Sequence, residues 1–305
     1  MSNWPAAALR EAAIAGSRSR DDLDAAIRGE PYDYSPPTDE RPYFFNMLRP
    51  ASLLHPMSLR NTGIMSSAGL VAAGNLLATI TLVMLAGVSA CLVASMIIWP
   101  LWRSGVPAMP TGTFASALLY FSLIGIGFMM VQIPYMQRFS VYLGHPTYAI
   151  AVILFSMILC TGIGSALSDR LAVEKRALWV IVVPLSAAAV IAVATELMQP
   201  LIDTTVRYGL GVRSALVFAL TAPPSLLLGV CFPTGMRLVR PLSERAMPWM
   251  WGVNGACGVL ASVLAVAISI WAGIDASLHV AVACYATLPL PGWWLRRVHR
   301  PAEDE

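Results

Sequence analysis

Hydrophobic and polar positions separate along this chain on the scale of whole helices rather than single turns. Beyond residue 69, seven long apolar stretches follow one another at 70–101, 114–132, 147–168, 177–198, 214–236, 249–271 and 276–294. A helix needs roughly 20 apolar residues to cross about 30 Å of hydrocarbon, so each stretch is long enough to span a bilayer. The first contains no charged residue and is longer than a crossing requires, which predicts tilt or extension past the bilayer. The seventh is the least apolar, since it contains His279, Pro289 and Pro291. Helix is the expected form throughout, because a chain in lipid must satisfy its own backbone hydrogen bonds. The pattern predicts an all-α fold, a polytopic transmembrane helix bundle of about seven spans over residues 61–305.

Residues 1–60 have a different character. They hold 15 of the 37 Asp, Glu, Lys and Arg residues and no long apolar run. Ser19-Arg20-Asp21-Asp22 can cap a short helix running to Ile27. Residues 31–42 are rich in proline and polar groups, and the aromatic knot Tyr43-Phe44-Phe45 follows. So few apolar positions cannot build a strong core alone, and the segment reads as a soluble remnant that packs on something else. No apolar stretch of signal-peptide type lies within residues 1–20, so the first true span directs insertion.

Composition agrees with this division. The chain is 57% hydrophobic and 12% charged, against about 25% charged in soluble domains. Its formal charge of +3 carries no argument for nucleic acid. The five cysteines all sit in apolar runs without a CxxC or Cys/His cluster, as buried small hydrophobes do. No metal site or cofactor motif is evident, and no strand leads into a GxGxxG turn. Trp99, Trp102, Trp179, Trp249, Trp251, Trp271, Trp293 and Trp294 fall near predicted span ends, where an interfacial aromatic belt belongs.

The connections carry the remaining charge. Arg103, Arg170, Lys175, Arg176, Arg237, Arg240, Arg245, Arg296, Arg297 and Arg300 fall on one face if there are seven spans. Arg138, Arg207 and Arg213 fall on the other. The positive-inside rule puts the Arg-rich face and the C-terminus in the cytoplasm of a multi-pass inner-membrane protein. The same count puts the polar N-terminal segment outside, so either the span count is off by one or that segment is not cytoplasmic.

Candidate functional residues are few. Gln132, Gln137 and Arg138 end the second span, where polar groups either line a cavity or mark the interface. Asn254 lies among Gly252, Gly255 and Gly258, placed for close helix packing or for a substrate contact. Pro223-Pro224 and Pro233 are expected to break or kink the fifth span, and broken helices build midplane sites in some transporters. His145 reads as a loop residue, and Glu196 and Asp203 as solvated groups flanking Pro200.

Two resemblances give these residues further meaning. The run Ser35-Pro36-Pro37-Thr38-Asp39-Glu40-Arg41-Pro42-Tyr43-Phe44-Phe45-Asn46 resembles the end of the soluble domain in bacterial multi-spanning proteins related to spermidine synthase. The stretches 125–146, with Gln132, Arg138 and Leu143-Gly144-His145-Pro146, and 248–263, with Trp251-Gly252-Val253-Asn254-Gly255, resemble the membrane region of that family. Glu40 and Tyr43 depart from its usual Asp and Phe. The resemblance implies a membrane module that anchors or serves an aminopropyltransferase domain encoded upstream. It implies no catalytic residue here, since Asp39, Glu40, Arg41 and Pro42 match the domain's terminal motif and not its active site. Gly164-Ser165-Ala166-Leu167-Ser168-Asp169-Arg170, followed by Lys175-Arg176, resembles the loop motif of major-facilitator transporters. That likeness implies a transporter half in which Asp169 and Arg170 gate the passage of a polyamine or another small solute. A structural fragment without activity of its own is the third expectation. The lipid bilayer is the partner common to all three.

Overall fold

The computed structural model of the chain describes residues 38, 42–43, 67–171 and 176–299. The expected helix near Ser19 and the residues Asp39, Glu40 and Arg41 lie outside the described residues; Pro42 is described and is partly buried. The chain divides into two compact units, residues 1–85 and 86–305. In the first, Thr38 makes an isolated β-bridge and helix α1 begins at Ser67. The second is helical along nearly its whole described length.

Helix α1 (Ser67–Val93) runs through a π-helical turn (Ala94–Ile98) into the short α2 (Trp99–Arg103). Pro100 accounts for the turn. It has no N–H to donate and its ring crowds the preceding carbonyls. The ladder widens there, and the Trp99 N–H reaches back five residues to the Ala94 carbonyl. Five long helices follow: α3 (Thr111–Leu143), α4 (Pro146–Leu171), α5 (Ala177–Thr205), α6 (Leu210–Val239) and α7 (Met247–Ala272). The chain ends in α8 (Ile274–Thr287) and α9 (Pro289–His299).

Connections between the long helices α3 to α7 are short, so neighbours among them run antiparallel. Gly144 closes α3 in the left-handed conformation, with φ of 81°, which a side chain would disfavour. Next to it, the His145 ring nitrogen Nδ1 accepts the Thr147 N–H at 3.2 Å and so serves the first turn of α4. Only Gly273, with φ of 99°, separates α7 from α8. Across that tight corner Ser277 donates to the Ala265 carbonyl at 3.1 Å and meets the Ser269 hydroxyl at 3.2 Å.

Among the described residues, six helices are long and apolar enough to cross a membrane. The seventh stretch differs in form. It still runs from one end of the bundle to the other: Asp275 meets Arg138 near the C-terminal end of α3, while Trp294 lies beside Gly112 at the N-terminal end. Pro289 and Pro291 each remove a backbone donor, so the helix is divided into α8 and α9 instead of continuing unbroken. The opposite outcome holds for α6. Of the break or kink expected at Pro223-Pro224 and Pro233, the break does not occur, and the helix continues through all three prolines. Thr221, Ser225 and Thr234 there back-bond to the carbonyls of Val217, Thr221 and Val230 in their own helix.

α3 is the hub, packed against α4, α6, α7, α8 and α9. Its buried side chains include Tyr120, Phe121, Met130, Tyr135 and Phe139. Lipid is as apolar as these side chains, so close packing and interhelical hydrogen bonds hold such a bundle together, with little help from hydrophobic exclusion. The α4–α6 pair shows how close the packing is. A methyl on Gly164 would collide with the Leu226 carbonyl oxygen, and one on Gly229 with that of Thr161. Each helix therefore offers its glycine to the other's backbone.

Candidate functional site

Three polar sites can be built from these helices, one at each end of the bundle and one between. The first lies where α3, α5, α6 and α8 meet. Arg138 is only 4% exposed, and one of its terminal nitrogens pairs with Asp275 at the start of α8. Its other terminal nitrogen donates to Gln199 Oε1 at 2.8 Å, and Gln199 Nε2 donates to Asp203 at 2.9 Å. The acid sits in the first turn of its helix, where the helix dipole favours negative charge. Beside this chain, Arg213 of α6 donates to the Tyr142 carbonyl at 2.7 Å, and the Tyr142 hydroxyl meets Thr205 at 2.7 Å. The network ties four helices at one end and leaves Arg138 Nε without a hydrogen-bond partner. Gln132, one and a half turns earlier on α3, is half-buried and takes no part in it.

At the opposite end, Asp169 of α4 pairs with Arg237 of α6 at 2.6 Å, and Arg237 also donates to the Ser168 carbonyl at 3.2 Å. Asp169 is 74% exposed. The pair fastens the two glycine-packed helices to each other. Arg170, its sequence neighbour, is exposed and does not join it.

Between these ends lies a cleft of about 600 Å³, walled by α3, α4, α6 and α7. Its lining is mostly apolar, with Phe128, Phe232 and Trp251, and includes several glycines. Trp251, Ile158 and Val259 are exposed, so the cleft opens sideways from the bundle. Its polar groups are neutral: Thr161, Ser165, Asn254 and Ser262. Among the described residues, no Asp, Glu, Lys, Arg or His lines it. Asn254 lines the cleft and also joins two helices. Its Nδ2 donates to the Phe121 carbonyl at 3.1 Å, joining α7 to α3. Gly125 makes room, since a methyl there would collide with the Asn254 backbone oxygen.

The structure thus separates the residues singled out in the sequence. Arg138 belongs to a buried network, Asp169 to an exposed tie, Asn254 to the cleft wall, and Gln132 and Arg170 to none of these. Sequence reasoning missed Asp275, Gln199 and Arg237, the partners that give Arg138 and Asp169 their roles. Only the single acid at the start of the seventh stretch hinted at the first of them. Among the described residues, no group of His, Cys, Asp and Glu side chains is arranged to hold a metal ion.

The fold and these sites define a class: a multi-pass helical membrane protein whose charged groups lie at the ends of its helices. Comparison with models of protein families, with curated proteins and with solved structures returns no match to this chain.

Proposed function

We propose that this chain is the membrane module of a spermidine synthase-like assembly, holding a soluble synthase-like domain at the inner membrane. The observation that carries the reading is the distribution of charge. Ionised side chains tie helices together at the two ends, while none of the described residues lining the cleft between them is ionised. Such an interior suits a scaffold. The ordered likeness of residues 35–46, 125–146 and 248–263 to the synthase-related family supports a synthase-like domain as the cargo.

The test is co-fractionation. The synthase-like frame sought in the genomic DNA ahead of the Met1 codon is expressed with and without this chain. Recovery of its product with membranes only when the chain is present supports the proposal. Absence of such a frame, or a product equally soluble in both cases, refutes it.

A transporter half is the second reading, favoured by the cleft itself. A polycation requires carboxylates along its path, and the cleft offers none. Carriage of a neutral solute fits better than carriage of a polyamine. Labelled spermidine uptake into vesicles containing this chain is expected to equal that of empty vesicles, and uptake above that level would restore the polyamine carrier.

A further inference from the structure

The Arg-rich end of the bundle holds more positive charge than its own acids neutralise. Among the described residues there, Asp169 is paired with Arg237, and Glu244 lies 3.8 Å from Arg240. Arg103, Arg170, Arg176, Arg245 and Arg297 are all exposed and have no carboxylate partner among the described residues. Among the described residues the opposite end is balanced, with Arg138, Arg207 and Arg213 set against Glu196, Asp203 and Asp275. Glu174, Glu303, Asp304 and Glu305 lie outside the described residues, as do Lys175 and Arg300. Even with these included, basic groups outnumber acidic ones in the segments at this end.

The placement of one of these arginines is specific. α9 follows the proline break and carries Trp293 and Trp294, both exposed, on the helix that ends the bundle. The Arg297 guanidinium lies over the Trp293 ring, 4.4 Å from its centroid. Stacking on a ring face orients a guanidinium and leaves its N–H edges available to an anion. Tryptophan rings favour the headgroup level of a bilayer, so the stack holds the charge at the depth of lipid phosphates. Leu295, on the other side of α9, is fully buried and fixes the helix against the bundle.

We propose that this end of the bundle is a docking surface for the headgroups of anionic phospholipids, with Arg297 on Trp293 as its ordered contact and Arg176 and Arg245 contributing to the surrounding field. The proposal is independent of any synthase-like partner.

The experiment uses the full chain, purified in a neutral detergent. It is titrated with phosphatidylglycerol or phosphatidylcholine of identical acyl chains, and bound lipid is counted by native mass spectrometry. Preferential retention of phosphatidylglycerol, weakened by salt, is the expected result. An arginine near an anionic surface contributes about 1 kcal/mol, so each of Arg176→Gln, Arg245→Gln and Arg297→Gln should weaken retention about five-fold. Trp293→Leu should weaken it while leaving the net charge unchanged. Arg207→Gln, at the opposite end, should leave it unaltered, and melting temperatures report whether each variant is folded. Equal retention of the two lipids overturns the proposal and leaves an acidic protein surface as the partner. So does an Arg207→Gln effect as large as that of Arg297→Gln, or displacement of the lipid by inorganic phosphate alone at millimolar concentration.

Discussion

Removing the Asp275 carboxylate is the sharpest perturbation of the bundle. Arg138 is 4% exposed and Asp275 29%, so the pair is largely withdrawn from solvent. Deleting one partner of a fully buried ion pair costs about 3–5 kcal/mol, chiefly through the stranded charge. Two features reduce that figure here. Gln199 continues to accept from Arg138, and Asp275 is partly exposed at a span end. A third acts the other way, since Asp275→Ala also removes an acid from the first turn of α8, worth about 0.3–1 kcal/mol. The expected loss is roughly 2–3 kcal/mol for Asp275→Ala. The assay is reversible unfolding in mixed micelles, run as a double-mutant cycle with Arg138→Met. Removing both charges leaves no stranded ion, so the double variant should be more stable than the sum of the single losses predicts. A coupling energy of about 1.5–3 kcal/mol is expected for such a contacting pair. A value below about 0.5 kcal/mol, typical of an exposed surface pair, would show that the network does not hold these helices together.

Three further outcomes follow from the packing. Gly229→Ala places a methyl against the Thr161 backbone of α4, so the two helices must separate, and a loss of about 1–3 kcal/mol in the same unfolding assay is expected; a neutral result would remove the close approach as a source of stability. Arg237→Ala breaks an ion pair whose acid is 74% exposed, and it should lower stability by no more than about 1 kcal/mol, with a larger loss pointing to a stronger tie than the exposure allows. In a variant with all five cysteines replaced by alanine, Arg245→Cys should react with an impermeant maleimide only from the cytoplasmic side and Tyr208→Cys only from outside; the reverse pattern would invert the orientation assigned from the arginines.

Much of the architecture was legible in one dimension. Lipid imposes a single requirement on a chain, long apolar stretches with internally satisfied backbones, and that requirement is local. The predicted stretches 114–132, 147–168 and 249–271 each fall inside an observed helix, α3, α4 and α7. Charge in the loops was equally readable, because the sign of a side chain needs no partner to be counted.

Proline exposed the limit of that reading. The prolines of α6 were expected to break or kink it and do not break it, whereas Pro289 and Pro291 divide the seventh stretch. A missing N–H has the same local consequence in both places. The outcome depends on which neighbouring groups and helices accommodate the freed carbonyls, and only the folded bundle supplies them.

The sequence alone therefore determined that most of this chain forms apolar helices long enough to span a membrane, that they alternate in direction, and that the connections on one side are rich in arginine. Each is a property of composition and spacing along a single strand. The tertiary structure decided what the few polar residues do. Arg138 and Asp275 lie 137 positions apart, and Asp169 and Arg237 lie 68 apart. Helix rotation and packing bring each pair together. The same packing places Asn254 beside the Phe121 carbonyl and leaves the cleft without charge. Hydrogen bonds and ion pairs act over a few ångströms in space, and a helix that rotates by one residue turns its side chains by about 100°, so separation along the chain says little about which of them meet.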